Sequence, residues 1–293
     1  MKKSIHILLI LIFLFLFVTN TFAAQGRVEK VMEESFLLNS TGSFSLANIA
    51  GKIEIYSWDK EEARMLATKS ISSWGIGDPE EMLDNIEIEI VSRSRNLKIN
   101  TRYPALSWVK NARVDYQIWI PQTCTVELES VSGSIQMDDH LNRLYAKTVS
   151  GSIKLNNIMA NVELKTVSGN ISAAKISGEI RAGSVSGSLI FRDCKGSFPD
   201  LHSTSGSIEA ELAAIDEDSS DMSLNTVSGD INLKLPDDAS FDLDIKTVSG
   251  EISTKFKVLV ESVKKNQLQG EVGDGGINIE LKTISGDISL AKL

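Results

Sequence analysis

From residue 126 onward apolar and polar side chains alternate, and the alternation changes phase at a recurring Ser-Gly dipeptide. Ahead of the dipeptide the apolar positions are Val126 and Leu128, Val162 and Leu164, Phe241, Leu243 and Ile245, and Ile277, Ile279 and Leu281. Behind it they are Ile135 and Met137, Ile153 and Leu155, Ile231, Leu233 and Leu235, and Ile288 and Leu290. Strict period two marks a half-buried strand. A one-residue slip turns every later side chain to the other face, so the chain must bend or bulge at the dipeptide. Glycine suits that place because it tolerates φ > 0 and bulge geometry.

The dipeptide occurs nine times, at Gly133, Gly151, Gly169, Gly178, Gly187, Gly206, Gly229, Gly250 and Gly286. The intervals are 18, 18, 9, 9, 19, 23, 21 and 36 residues. They predict a turn of about 18 residues with a corner at each half turn. Asn142, Asn161, Gly178, Gly196 and Asp237-Asp238 supply turn chemistry at the opposite corners. The pattern predicts an all-β chain, a β-solenoid in which stacked coils bury a continuous aliphatic core. An antiparallel β-sandwich ranks second, because hairpins favour Asn-Gly or Asp-Gly over Val-Ser-Gly.

Residues 24–125 read as a β-rich N-terminal region or cap. Strand patterns persist at Lys52–Tyr56, Ile86–Ile90, Leu97–Asn100 and Val114–Ile118. All four tryptophans, Trp58, Trp74, Trp108 and Trp119, lie here. Asp78-Pro79-Glu80-Glu81 has the form of an N-cap with proline in the first turn of a short helix. Ala50-Gly51-Lys52-Ile53 is a degenerate copy of the repeat, which favours one continuous unit from about residue 36 over a break at 125.

The serial Lys-Thr-Val-Ser-Gly-Ser/Asn/Glu-Ile elements at 147–153, 165–171 and 246–252 resemble the "putative adhesin" family of bacterial envelope proteins, a domain of unknown function. Asn48-Ile-Ala-Gly51-Lys-Ile-Glu-Ile55 and Trp58-Asp59 resemble the start of that domain. The likeness covers roughly residues 36–293. It implies an exported, β-helical, non-enzymatic protein, and it brings no catalytic residues with it.

The first residues add an address. Lys2 and Lys3 precede an apolar run from Ile5 to Val18, and Thr21-Phe22-Ala23 places small residues at −3 and −1 of a cut after Ala23. This is a secretory signal pattern over 1–23; the run is shorter than the roughly 20 residues of a membrane span. An uncleaved anchor is the lesser alternative. Export to the periplasm, cell surface or medium follows, with no membrane span left after cleavage.

Charge then sharpens the picture. The formal net charge is −9 at 42% hydrophobic content. Without residues 1–23 it becomes −11, with 28 Lys plus Arg against 39 Asp plus Glu. Residues 126–293 hold 16 basic and 25 acidic side chains, so the acidity belongs to the repeats. A nucleic-acid partner is excluded, because binding a polyanion needs a cationic surface.

Candidate chemistry is thin. Asp230, Glu251 and Asp287 follow the repeat glycine and form a candidate carboxylate column. Glycosidases need two carboxylates at a defined separation, and the same position is serine or asparagine in other copies, so a solvated corner is the favoured reading. Asp216-Glu217-Asp218-Ser-Ser-Asp221 lacks the ordered spacing of a calcium loop. Gly273-Asp274-Gly275-Gly276 precedes a strand and reads as a turn, not a phosphate cradle. His140 and His202 fall in different coils with no nucleophile motif. Cys124 and Cys194 are 70 residues apart, nearly four coils or roughly 19 Å at strand spacing, too far for a disulfide; Cys124 shares the inward parity of Val126 and reads as a buried thiol. Trp74, Tyr103 and Trp108 are expected in exposed loops and are the first place to look for a contact. The reading is a non-catalytic platform for a protein or glycan partner of the envelope, with no cofactor or metal. A polysaccharide-active β-helix enzyme and a self-assembling scaffold are its alternatives.

Overall fold

The computed structural model describes residues 27–72, 78–104, 112–215 and 219–293. The expected leader over 1–23 lies outside them. The first part of the chain forms β1 (Arg27–Leu37), β2 (Ser43–Ala50), β3 (Ile53–Trp58), β4 (Glu62–Ser72), α1 (Pro79–Asp84), β5 (Glu87–Arg93), β6 (Asn96–Arg102) and β7 (Ala112–Pro121). The repeats form β8 (Thr125–Ser132), β9 (Ile135–His140), β10 (Leu144–Thr148), β11 (Ile153–Ile158), β12 (Val162–Ser168), β13 (Ile171–Ser186), β14 (Leu189–Ser205), β15 (Ile208–Ala214), β16 (Met222–Ser228) and β17 (Ile231–Leu235). The last part forms β18 (Phe241–Lys246), β19 (Ile252–Thr254), β20 (Val258–Lys264), β21 (Gln267–Val272), β22 (Ile277–Lys282) and β23 (Ile288–Lys292).

The fold is all-β, a solenoid with two parallel walls. One wall collects the strands that precede the Ser-Gly corner, in the order β6, β2, β8, β10, β12, β13, β14, β16, β22, β18. The other collects those that follow it, in the order β7, β3, β9, β11, β13, β14, β15, β17, β23, β19. β13 and β14 run through the far corner and serve both walls. Each wall turns one face inward, and matching positions stack. Ile53, Ile135, Ile153, Ile171, Leu189, Ile208, Ile231 and Ile288 form one row. Leu46, Leu128, Ala146, Leu164, Ala182, Leu201, Leu224, Leu281 and Ile245 form the facing one. All are buried. The alternation in the sequence is thus the alternation between this core and the outside.

Glycine is required at the corner for a different reason from the expected one. The column runs Gly51, Gly133, Gly151, Gly169, Gly187, Gly206, Gly229, Gly286, Gly250, and only Gly51 and Gly286 in it have left-handed φ. A Cβ on each member after the first would lie 1.9–2.4 Å from the carbonyl oxygen of the glycine below. The carbonyl occupies the place of the missing side chain. In seven copies a buried hydroxyl three residues ahead of the glycine donates to that same oxygen: Thr148 to Gly133 at 3.2 Å, Thr166 to Gly151 at 3.4 Å, Ser184 to Gly169 at 3.5 Å, Ser203 to Gly187 at 3.1 Å, Thr226 to Gly206 at 3.0 Å, Thr283 to Gly229 and Thr247 to Gly286 at 3.1 Å; Ser130, ahead of Gly133, is buried without a hydrogen-bond partner. Asn48 fills this position in the first copy and donates to Ala50 O and Val114 O. Gly178, the half-turn copy, belongs to the far corner, beneath Gly196.

The coils do not stack in chain order. β2 and β3 lie inside the stack, between β6–β7 and β8–β9. The last coil, β22–β23, is inserted between β16–β17 and β18–β19. The intervals of 21 and 36 residues at the C-terminal end arise from this inversion. Both outermost coils therefore come from hairpin-bearing segments. At one end β5 extends the first wall and β4 and β1 extend the second, all antiparallel. Helix α1 lies against β4 and β1 there, with Leu83 buried. Its N-cap is the expected one: Asp78 Oδ1 accepts from Glu80 N–H at 2.9 Å, with Pro79 in the first turn. At the other end β21 and then β20 extend the first wall alone.

Gly169→Val places a branched side chain against the Gly151 carbonyl, where a Cβ would sit at 2.0 Å. It is expected to cost at least about 3 kcal/mol. The exposed Val167→Ala, two residues away, should cost less than about 1 kcal/mol. Urea unfolding of both variants checks this, and equal midpoints would refute the interlocked corner.

Candidate functional site: the outer face of the stack

Between the buried hydroxyl and the serine of each corner stands a residue that points outward. In stack order these are Ile49, Val131, Val149, Val167, Val185, Thr204, Val227, Ile284 and Val248. Val131 through Val185, Val227, Ile284 and Val248 are 39–60% exposed. They form a ridge of β-branched side chains along the whole repeat, roughly 40 Å at strand spacing. The row beside it runs Glu129, Lys147, Lys165, Gly183, His202, Asn225, Lys282 and Lys246, with two pairs of lysines. The ring of His202 fills the space that Gly183 leaves: a Cβ there would lie 2.4 Å from His202 Nε2.

Two of the three carboxylates beyond the glycine are structural, and the third, Glu251, is exposed at the end of the column. Asp230 Oδ1 accepts the N–H of Asp287 at 2.9 Å, and Asp287 Oδ1 accepts that of Glu251 at 2.8 Å. Asn170 Oδ1 does the same for Ser188 at 2.9 Å. Each side chain caps the corner of the next coil, so the column is a backbone clasp that either an acid or its amide can make. Asp221 Oδ1 likewise accepts from Asn278 N–H at 2.9 Å; Asp216, Glu217 and Asp218 lie outside the described residues. Among the described residues no cluster of His, Cys, Asp and Glu is placed to hold a metal ion.

The two histidines are on opposite sides of the walls. His202 is exposed and lies 3.2 Å from the Asp200 carboxylate. His140 is fully buried, in line with Ile158. Its Nε2 lies 2.8 Å from Cys124 O, an acceptor, so Nε2 carries the proton. Nδ1 is then the acceptor for the Ser57 hydroxyl at 3.2 Å. Burial pushes the ring down to about 4. A Ser–His pair thus exists, but its imidazole is oriented by a carbonyl, not a carboxylate, and holds a proton poorly at neutral pH. Neither Ser57 nor His140 lines either of the two surface hollows described below.

Cys124 and Cys194 are both buried and both free, as the coil count requires. Burial raises Cys124 to about 12 and Cys194 to about 11, so both stay as thiols at neutral pH. Tyr103, expected exposed, is instead half-buried at the edge of β6; its hydroxyl reaches Ala50 O at 3.4 Å. Trp74 and Trp108 lie outside the described residues. The aromatic pair on the outer face is one the chain pattern obscured: Tyr56 and Trp119 stack at 5.3 Å, with the Arg64 guanidinium over Trp119. Their outward parity, opposite Ile55 and Ile118, was the available signal. Gly273–Gly276 is the turn between β21 and β22. One hollow of about 450 Å³ adjoins Ile49, Tyr103, Val131, Lys147 and Val149. Another, of about 470 Å³, lies at the far corner beside Arg143, Met159, Glu163 and Arg181.

The buried His140 makes stability depend on pH. Its folded value is about 4 against 6.5 for an unperturbed ring. The unfolded chain therefore binds more protons between those values, so stability is full above pH 6.5 and falls as the pH drops toward 4. The loss is about 3 kcal/mol. His140→Ile, matching Ile158 and Ile176 in the same column, should flatten the difference between pH 7 and pH 4.5. Chemical unfolding at the two pH values tests it; an unchanged slope in the variant would refute the assignment.

No curated protein matches the chain. Among solved structures, a "putative cell adhesion protein" from Clostridium sporogenes is 14% identical, with 90% of this chain and 100% of that one covered and a TM-score of 0.32. A "putative adhesin" from Bacteroides fragilis is 10% identical, covering 90% and 97%, with a TM-score of 0.46. A protein from Parabacteroides distasonis described as a "putative lipid binding protein" is 13% identical, covering 90% and 96%, with a TM-score of 0.47. The family model described as Toastrack DUF4097 matches residues 78–291. With most of the solenoid inside that match, the chain belongs to the Toastrack family.

Proposed function

We propose that this protein is an exported, non-catalytic component of the bacterial envelope whose outer face serves as an interaction platform. The observation that carries the reading is the exposed ridge of valines and isoleucines. A half-exposed β-branched residue is ordinary by itself. Eight in register, seven of them exposed and interrupted once by Thr204, make an apolar edge on a rigid two-walled stack with lysines beside part of it, a surface suited to an extended partner protein. The non-catalytic part rests on how the candidate groups are used. The corner carboxylates of Asp230 and Asp287 clasp backbone N–H groups, and His140 is buried against a carbonyl. Export rests on the sequence of residues 1–23. Among the described residues no helix is long and apolar enough to cross a membrane.

The test exploits Thr204, which already stands in the ridge. Val149→Thr, Val167→Thr and Val185→Thr together keep the branched shape and remove the apolar surface. Each should shift stability by no more than about 0.5 kcal/mol. Binding of the purified chain to isolated envelope protein fractions should fall at least tenfold in the triple variant, while glycan arrays incubated with the chain release no reducing sugar. Retained binding refutes the ridge, and sugar release refutes the non-catalytic reading.

A further inference from the structure

We infer that the C-terminal end of the stack docks onto the same end of a second copy of the chain, forming an end-to-end dimer with one continuous core. The two walls stop at different heights. The second wall ends with β19, which among the described residues pairs only with β23. The first wall continues past β18 through β21 and β20, an overhang of about 10 Å. The register fixes what the overhang presents. Leu243 lies opposite Gly270 and Gly270 opposite Val260; Ile245 lies opposite Leu268 and Leu268 opposite Val263. The irregularity between Val260 and Ser262 keeps Val263 on the same face as Val260. Since Leu243 and Ile245 face the core, so do Val260 and Val263. Yet these two are 51% and 67% exposed, because no opposite wall stands there among the described residues.

The other end of the stack shows what closure looks like. There both walls are extended, and α1 packs its buried Leu83 against the end. The C-terminal end has Phe256 over Phe241 and, among the described residues, no comparable cover on the overhang. A two-fold axis across the stack supplies it: each overhang then stands where the other copy's second wall is missing, and the free edge of β20 runs on from the partner's β19. Such an isologous contact closes on itself and leaves no further edge to propagate. Charge permits the contact here. Residues 250–272 carry four lysines and three glutamates, net +1, whereas the rest of the chain is −10. Side-by-side contact would oppose two acidic bodies; end-on contact does not.

The experiment uses the purified full chain in sedimentation velocity over roughly a hundredfold range of concentration, with X-ray scattering of the associated species. A monomer–dimer equilibrium is expected, with a maximum dimension near twice that of the monomer. Val260→Asp and Val263→Asp should each raise the dissociation constant at least tenfold while leaving the melting temperature within about 3 °C. Should either melt early, the Val260→Thr/Val263→Thr chain keeps the branched shapes and must still weaken the dimer. A chain monomeric throughout, a dimer no longer than the monomer, or a dimer indifferent to these substitutions overturns the inference. So does a monomer that uses Val260 and Val263 to bind vesicles of phosphatidylglycerol, for the overhang would then be a lipid contact.

Discussion

The whole stack depends on how closely one coil approaches the next at the Ser-Gly corner. A carbonyl oxygen fills the volume where the following glycine would carry its Cβ, and a threonine or serine hydroxyl three residues upstream donates to that oxygen. These two contacts hold the corners in register. The register then aligns the aliphatic rows, and each coil, too thin to bury its own apolar face, shares a core with its neighbours. A side chain at the corner would push two coils apart and damage every row that crosses that interface.

The same geometry sorts polar residues by position. Inward of the corner, every hydroxyl but that of Ser130 is consumed by a glycine carbonyl. Just beyond it, Asp230, Asp287 and Asn170 are consumed by the backbone of the next coil. What remains free is the outward residue between hydroxyl and serine, and there the chain places valine or isoleucine in every copy but the one with Thr204. The surface left for recognition is therefore apolar along one edge and acidic over much of the remainder. This follows from hydrogen-bond bookkeeping in the corners and not from a dedicated pocket.

Chain order and stacking order part company at both ends. Inserting β22–β23 beneath β18–β19, and β2–β3 above β8–β9, buries segments near the two ends of the described chain between paired neighbours. The outermost strands are then hairpins. One end is finished with a helix and charged β1, which carries Arg27, Glu29, Lys30, Glu33 and Glu34 along its edge. The other is finished on one wall only, so its last core residues face solvent.

The sequence alone determined the strands, the corner positions and the two-faced walls, because period-two alternation and a fixed glycine interval are local consequences of the pleat and of coil length. It also determined that Cys124 and Cys194 cannot meet and that Asp78 caps a helix. Only the tertiary structure decided why glycine stands at the corner, since the carbonyl that excludes a side chain comes from another coil. It alone decided that Asp230 and Asp287 are clasps, that Tyr103 is half-buried and that Tyr56 stacks on Trp119, because each depends on partners 36 to 63 residues away. The order of the last two coils is likewise invisible in a linear pattern: both have the same repeat, and only the closure of the stack selects which lies inside.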